Sequence, residues 1–268
     1  VDLFGRGTAR HVTLRVRDVP VIYLPYGVFP VNRTRQSGFM LPRVGLSNNR
    51  GFKFEEEFYW AINRSTDATI GFDIETEARV GGTGEYRYVL DQNSRGTLAG
   101  AYFNEALRSE KDLKKLKREN AKTGLVDIAP MDRWGVSTEV KQGLTGGVDS
   151  YADLMLVSDD LFFTEIESAS FEPAQDENAR TSFYTASRVG MLKTWEQMGL
   201  WGEAAFFQDL DVKLENEDDA VLQRLPGVEF RSQRALTKDR LVLSFAGEAV
   251  NYQRPVGFDG LRLDLLPQ

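Results

Sequence analysis

Pairs of carboxylates are the residues of this sequence whose types and spacing could support catalysis. Glu55 and Glu57 lie two positions apart, and acidic doublets occur at 159–160 and 218–219. Two carboxylates that flank a sugar bond can hydrolyse it, but their separation in space is not visible in a sequence. The acidic segments also lack the ligand spacing and central glycine of a calcium loop. A glycosidase therefore stays open as an alternative without being favoured.

Other catalytic groups are scarce. The chain has one histidine, His11, and no cysteine. His11 lies at the extreme end of the chain and is not expected to complete a Ser–His–acid triad, and multi-histidine and thiolate metal sites are excluded. The run "GGTG" (81–84) opens no helix, so it is not a dinucleotide or P-loop fingerprint. We expect a protein that is not an enzyme and that uses no cofactor and no metal.

Charge and hydropathy narrow the class of protein further. The formal net charge of −7 argues against a nucleic-acid partner, because nucleic-acid binding needs a clustered basic face. No window approaches the roughly 18 apolar residues of a membrane-spanning helix, whereas a membrane β-barrel needs only alternating strands. The sequence begins "VDLFGRG" without a methionine. We expect it to be cut from a longer chain.

The segment 66–80, "TDATIGFDIETEARV", alternates between apolar and charged residues. Such alternation places an apolar stripe on one face of a strand and charges on the other. Its length suits a tilted membrane-spanning strand, which needs about 9–11 residues. A long strand of a soluble β-sandwich fits equally well. The apolar set is Ala68, Ile70, Phe72, Ile74, Ala78 and Val80, and the charged set is Asp67, Asp73, Glu75, Glu77 and Arg79.

The same alternation recurs along the chain, with Glu56 interrupting one apolar face. Turn-forming runs rich in Gly and Asn lie between several strands, where tight hairpins need positive φ. The pattern predicts an all-β, antiparallel meander of roughly ten or more strands. The further strand patterns lie at 52–60, 85–91, 133–141 and 261–265, and the predicted turns at 47–51, 80–84, 91–96 and 141–147.

Two further features favour a membrane barrel over a soluble sandwich. Aromatic residues cluster near strand ends, among them Trp60, Tyr86 and Trp134, as interfacial girdles require. Longer polar insertions alternate with short turns, and outer-membrane barrels have short turns on one rim and long loops on the other. The insertions are 104–130, 158–180 and 210–224, of which 108–120 (basic) and 214–219 (acidic) are predicted to be exposed loops.

A proline-rich run at 18–39, "DVPVIYLPYGVFPVNRTRQSGF", precedes the meander. Proline cannot donate to a β-ladder, so Pro20, Pro25 and Pro30 make this run a poor central strand. The residues just before it alternate and predict a strand of an earlier unit, with His11 on its polar face. The run is therefore interpreted as a hinge between two units.

Seven blocks of the sequence, in order, resemble the LptD family, the lipopolysaccharide-assembly proteins of outer membranes (also called organic solvent tolerance protein). The longest block, "VPVIYLPYGVFPVNRTRQSGFMLPRVG" (19–45), looks like the family's junction between its periplasmic domain and its barrel. The others are "FYWAINRSTDATIGF" (58–72), "GEYRYV" (84–89), "DRWGVS" (132–137), "LVSDDLFF" (156–163), "LQRLPGVEF" (222–230) and "GLRLDLLP" (260–267).

The resemblance implies the fold and the partners. Residues 1–30 would end a periplasmic β-jelly-roll, and residues 31–268 would form the N-terminal roughly ten strands of a large transmembrane β-barrel in the Gram-negative outer membrane. The implied partners are lipopolysaccharide (LPS), a plug lipoprotein (LptE-like) inside the barrel, a periplasmic bridge protein (LptA-like) and outer-membrane lipid. LPS would leave through a lateral opening between the first and last strands of the barrel. The alternative is a secreted soluble β-sandwich that binds or hydrolyses carbohydrate.

The resemblance also implies site residues. Pro42 falls at a family proline that weakens the first strand, whereas Glu57 stands where the family has a second proline. Weakening of the seam would then rest more on Pro42, or on Gly38 and Gly45. Arginines bind phosphate bidentately, although anchoring at the membrane interface or ordinary packing explains the contact candidates nearly as well. The lateral gate and hinge candidates are Pro25, Pro30, Gly38, Pro42 and Gly45, and the LPS-contacting candidates are Leu24, Tyr26, Phe29, Arg33, Arg35 and Arg43.

Overall fold

A computed structural model gives the fold of the chain. It describes residues 6–16, 19–30, 35–48, 50–108, 131–166, 168, 171, 182, 184–210, 221–237, 241–254 and 259–267. The described chain is all-β apart from one short helix, which confirms the predicted class. No helix among these residues has the length and apolar character needed to cross a membrane.

Fifteen strands and one helix make up the described elements. The strands are β1 (Arg6–Val16), β2 (Val19–Pro30), β3 (Gly38–Phe39), β4 (Arg43–Ser47), β5 (Gly51–Trp60), β6 (Thr66–Glu75), β7 (Arg79–Val89), β8 (Arg95–Asn104), β9 (Asp132–Leu144), β10 (Val148–Val157), β11 (Tyr184–Thr194), β12 (Met198–Asp209), β13 (Gln223–Thr237), β14 (Leu241–Gln253) and β15 (Gly260–Pro267); the helix is α1 (Phe162–Glu165).

The strands form two antiparallel sheets. β1 and β2 pair only with each other in the described residues, and β3 to β15 form a thirteen-stranded meander in which each strand from β5 onward pairs with the next. Residues 19–30 of the proline run thus form one strand, but this strand belongs to a two-stranded sheet rather than the centre of a larger one. This placement agrees with the missing donors at its prolines.

The alternating segment 66–80 is two strands rather than one. β6 ends at Glu75, residues 76–78 form a turn, and β7 begins at Arg79. The run at 80–84, predicted as a turn, instead lies inside β7. Gly81 serves close packing, since a Cβ there would lie 2.2 Å from Cδ1 of Phe103, whereas a Cβ at Gly84 would meet nothing within 4 Å. The predicted turns at 47–51 and 91–96 do connect strands. The turn predicted at 141–147 is shorter in the structure and comprises residues 145–147, where Gly146 and Gly147 have positive φ.

Connections of different length lie on opposite rims of the large sheet. Because neighbouring strands are antiparallel, alternate connections share a rim. All three long insertions fall on one rim, here called the long-loop rim, and the chain reaches β3 at the other, the short-turn rim. The strand ends at the short-turn rim belong to the connected pairs β5–β6, β7–β8, β9–β10, β11–β12 and β13–β14; those at the long-loop rim belong to β4–β5, β6–β7, β8–β9, β10–β11, β12–β13 and β14–β15.

One apolar cluster is buried, and it lies against β8 and β10 near the long-loop rim. Phe162 and Phe163 of α1 contribute to it, and a Cβ at Gly135 would lie 2.8 Å from Cζ of Phe162. The first residues after β10, including the helix, therefore pack against the sheet. The cluster consists of Ala101, Phe103, Val157, Phe162, Phe163, Ile166, Phe171 and Leu210.

Candidate functional site

The large sheet exposes its apolar face and buries its charged face. On β6, Ile70 and Phe72 are 55% and 47% exposed, whereas Asp73 and Glu75 are 2% and 3% exposed. Exposed apolar residues also occupy every second position of β15, the strand at the opposite edge of the sheet, where Leu261, Leu263 and Leu265 are exposed. We call these the apolar face and the ionic face. The arrangement is the reverse of a protein that packs its apolar residues together in water.

Ion pairs hold the ionic face together near the long-loop rim. The Arg133 side chain is fully buried, and its Nη2 and Nε contact the two carboxylate oxygens of Asp159 at 2.7 and 3.1 Å. Its Nη1 lies 2.7 Å from Oε2 of Glu165 and 3.5 Å from Oε1 of Glu105. A buried guanidinium in this geometry links β9 to Glu105, which precedes it in the chain, and to Asp159 and Glu165, which follow β10.

The ion pairs continue to the first strands. Arg79 Nε donates to Oε2 of Glu75 at 2.8 Å, and its Nη1 lies 3.3 Å from Glu105. Lys53 Nζ lies 3.1 Å from Oε1 of Glu55, which is also buried. We call the set Lys53, Glu55, Glu75, Arg79, Glu105, Arg133, Asp159 and Glu165 the ionic cluster. No group of three or more acidic or histidine side chains in the described chain could hold a metal ion.

The first strand of the large sheet is broken at Pro42. β3 and β4 both pair with β5 along the same edge, β3 at Tyr59 and Phe58 and β4 from Glu55 onward. The N–H of Met40 donates to the carbonyl of Glu57 at 2.8 Å, after which the pairing resumes only at Arg43. The shift in register across the break and the missing donor of proline both interrupt the ladder at this point.

Arg35 fastens the chain where it reaches the sheet. Its Nε donates to the Tyr59 hydroxyl at 2.5 Å, and its Nη1 donates to the carbonyls of Asn63 and Arg64 at 3.0 and 2.9 Å. Its Nη2 also pairs with the Asp67 carboxylate. The Tyr59 hydroxyl and the Asp67 carboxylate raise the pKa of Arg35. The guanidinium thus binds the 61–65 turn and the strand residues on either side of it. We call these contacts the Arg35 clasp.

The other predicted residues along the first strand are less constrained. Arg43 is exposed and lies 4.0 Å from Glu55, which makes a loose pair. A Cβ at Gly38 would meet nothing within 4 Å, and one at Gly45 would make an ordinary contact of 3.7 Å with Lys53. Neither glycine is required by close packing. Arg33 lies outside the described residues.

The remaining gate and contact candidates lie in the two-stranded sheet. Leu24, Phe29 and Pro30 pair with Val12, Gly7 and Arg6, and Tyr26 is exposed opposite Arg10. Pro25 falls where the paired residues skip one position. On the facing strand this position is His11, which has a φ of 54°. The structure thus separates these candidates from those near Pro42.

Sequence reasoning missed the partners of these arginines. Tyr59, Asn63 and Asp67 complete the Arg35 clasp, but no local spacing links a residue to a partner more than twenty positions away. Arg133 lies in the block "DRWGVS", and nothing in the sequence around it indicates that its side chain is buried. Glu56, noted as an interruption, does lie on the apolar face opposite Phe72. Within the predicted loops, 109–120 and 214–219 lie outside the described residues.

These features define a class of protein: an all-β antiparallel meander with a buried ionic face and an exposed apolar face. Family comparisons identify the family. A model described as "LPS transport system D" matches residues 131–268, and one described as "LptD protein" matches residues 8–137. The chain belongs to the LptD family.

Curated relatives support the assignment. The LPS-assembly protein LptD of Ectopseudomonas mendocina (strain ymp) is 34% identical over 164 residues, which is 61% of this chain and 16% of the relative. The protein of the same name from Pseudomonas entomophila (strain L48) is 35% identical over a stretch of the same length and coverage. The chain therefore spans only a small part of the relatives that it matches.

Proposed function

We propose that this chain is part of the wall of an outer-membrane β-barrel that transports and assembles LPS. In this arrangement the apolar face contacts lipid and the ionic face lines the lumen. LPS passes from the periplasm into the outer leaflet through a lateral opening beside the broken first strand. The role is conduction of a lipid, and it needs no catalytic group.

One observation carries the proposal: the two faces of β6 are reversed relative to a water-soluble protein. Ile70 and Phe72 are exposed while Asp73 and Glu75 are almost fully buried. Exposed apolar side chains on every second residue lower the free energy only if an apolar solvent covers them. A bilayer supplies that solvent, and the family membership points in the same direction.

The two rims support an orientation for the wall. Membrane barrels have short turns on the periplasmic side and long loops outside. The two-stranded sheet connects to β3 at the short-turn rim. This supports the interpretation of residues 1–30 as the end of a periplasmic unit and of residues 31–268 as barrel wall.

The broken first strand supports an exit for LPS at this edge. An edge with a missing donor and interrupted pairing separates from a neighbouring strand at a lower free-energy cost than a continuous ladder. Phe39, Leu41 and Leu46 are highly exposed along this edge. They would offer an apolar path to acyl chains.

The names of the relatives support LPS as the cargo, since they are called LPS-assembly proteins. A plug lipoprotein facing the ionic cluster and a periplasmic bridge protein docking on the two-stranded sheet are further parts of the proposal. The exposed Tyr26 and the edges of that sheet suit strand addition by a bridge protein.

The soluble β-sandwich is the weaker hypothesis. A sandwich would cover Ile70 and Phe72 with a second sheet, and their exposure argues against such packing. No relative reported above carries a carbohydrate-module name.

The test is photocrosslinking in cells that carry the full-length protein. A photoreactive amino acid at Pro42 is compared with one at Trp134, which is exposed on the apolar face but lies in a continuous ladder. Pulse-labelled LPS should be captured at Pro42 early and at Trp134 only later, after it has spread through the leaflet. Simultaneous capture at both positions would contradict an exit at the first strand.

A further inference from the structure

The hydrogen-bonded ladder between β10 and β11 does not extend along the whole length of these strands. Paired residues run from Val148 opposite Lys193 to Asp153 opposite Arg188, and they stop there. Both strands continue to the long-loop rim, and each remains paired with its other neighbour. We call the unladdered stretch, residues 154–157 facing 184–187, the β10–β11 seam.

Two side chains take the place of the missing backbone partners. The Ser187 hydroxyl accepts from the N–H of Met155 at 3.0 Å and donates to its carbonyl at 3.1 Å. The Gln208 amide does the same for Val157, accepting from its N–H at 3.1 Å and donating to its carbonyl at 2.8 Å. Gln208 belongs to β12, so it closes the seam from two strands away.

A seam closed by side chains opens more readily than a ladder. Each side chain has rotamers of its own, so its hydrogen bonds can break without moving the backbone of β11. The Thr185 hydroxyl in the same stretch is buried and has no hydrogen-bond partner, which further weakens the closed form.

Apolar surface lies on both sides of the seam. On the ionic side Val157 is 3% exposed and packs in the buried cluster with Phe162 and Phe163, the apolar patch of an otherwise charged face. On the other side Phe206, opposite Ser187, is exposed on the apolar face. A gap here would join two apolar regions.

We propose that the β10–β11 seam is a second opening in the wall, distinct from the broken first strand, which admits an apolar chain of the lipid-acyl type between the bilayer and the buried cluster. This inference rests on the proposed function, because it requires the apolar face to meet lipid. The reversible element is the pair of side-chain bridges from Ser187 and Gln208.

Amide hydrogen exchange on the full-length protein in lipid nanodiscs tests the opening. The N–H groups of Met155 and Val157 should exchange at least about tenfold faster than those of Tyr151 and Asp153, which have the same parity on β10. Equal protection in the two halves overturns the proposal.

A pair of matched variants tests the role of the side-chain bridges. Gln208→Leu should speed exchange at Val157 further. Gln223→Leu is the control, since Gln223 makes the same two amide contacts with Phe207 between other strands. If both variants leave exchange at Val157 unchanged, the Gln208 bridge does not hold the seam closed.

Labelling from the bilayer tests the passage of an apolar chain. The chain has no cysteine, so Val157→Cys and the control Ala101→Cys, which lies in the same cluster on fully laddered β8, are the added thiols in this segment. Hexadecyl maleimide in phosphatidylcholine vesicles should label position 157 at least about tenfold faster. Equal rates at both positions refute the passage. If no apolar-face cysteine, such as Ile70→Cys, is labelled either, the proposed membrane wall itself has failed.

Discussion

The broken first strand and the ionic cluster are two regions of one sheet that differ in how firmly their strands are held together. Around Pro42 the ladder is interrupted, and the exposed arginine beside it is only loosely paired. Around Arg133 the ladder is continuous and a fully buried guanidinium binds three carboxylates. Stability is therefore concentrated away from the edge that is proposed to open.

The largest expected effect is a loss of stability on removing the central arginine of the ionic cluster. Arg133→Met should destabilise the folded protein by about 3–5 kcal/mol, because it removes the buried guanidinium that pairs with both oxygens of Asp159 and with Glu165. Unfolding by urea in detergent, followed by tryptophan fluorescence, measures the loss.

Arg231→Met is the matched control for that variant. Arg231 pairs with Glu229 but is largely exposed, so its removal should change stability little. Equal losses at positions 133 and 231 would show that the ionic cluster is not a special source of stability.

The next effect concerns the two faces of the wall. Ile70→Lys places a charge on the apolar face and should cost about 2–4 kcal/mol of stability in a bilayer if it lies near the midplane. Thr69→Lys, on the ionic face opposite Glu85, is the control and should be tolerated. Folding into phosphatidylcholine vesicles measures both. A larger loss for Thr69→Lys would reverse the assignment of the faces.

A smaller effect is expected at the weak edge. Pro42→Val supplies an N–H and frees φ, so the first strand can continue through the break. One added hydrogen bond of about 1 kcal/mol would shift an opening equilibrium about fivefold toward the closed form. The delivery rate of labelled LPS to the cell surface should fall accordingly. Val44→Ile on the same strand adds no donor and should leave the rate unchanged; a similar fall there would mean that the break at Pro42 is not the cause.

The smallest effect is expected at the Arg35 clasp. Arg35→Lys keeps the charge but loses the planar fork that contacts Tyr59 and two carbonyls. Hydrogen exchange at the N–H of Met40 should become severalfold faster, because the adjoining end of the first strand loses its anchor. Arg64→Lys, at an exposed neighbour, is the control. Unchanged exchange at Met40 in the Arg35 variant would show that the Arg35 clasp does not stabilise the first strand.

The sequence predicts the fold class and the two faces well because both follow from side-chain parity. Ile70 and Asp73 reveal their faces by alternation alone. The same rule misjudges the turn at 76–78, because the alternation runs through it without a glycine or proline to mark the end of β6. The glycines at 81–84 suggest a turn but lie inside β7, where Gly81 makes room for Phe103 of the next strand.

The candidate site is less predictable because its contacts are long-range. The sequence identifies Pro42 as a weak point, and the structure places the break in the first strand there. It offers no sign that Arg35 would bind Asp67 or that Ser187 and Gln208 would bridge to β10. Those contacts depend on sheet register and on where a ladder stops, which a single sequence does not encode locally.

Spin labels at neighbouring positions of β6 test most directly whether the apolar face of the sheet contacts lipid. In vesicles that hold the full-length protein, nitroxides at positions 70 and 72 should collide with oxygen, which dissolves in lipid, and be shielded from a water-soluble nickel chelate. A nitroxide at position 69 should show the reverse preference. Exposure of positions 70 and 72 to the nickel chelate, with position 69 in lipid or buried in protein, would contradict a wall whose apolar face meets the membrane.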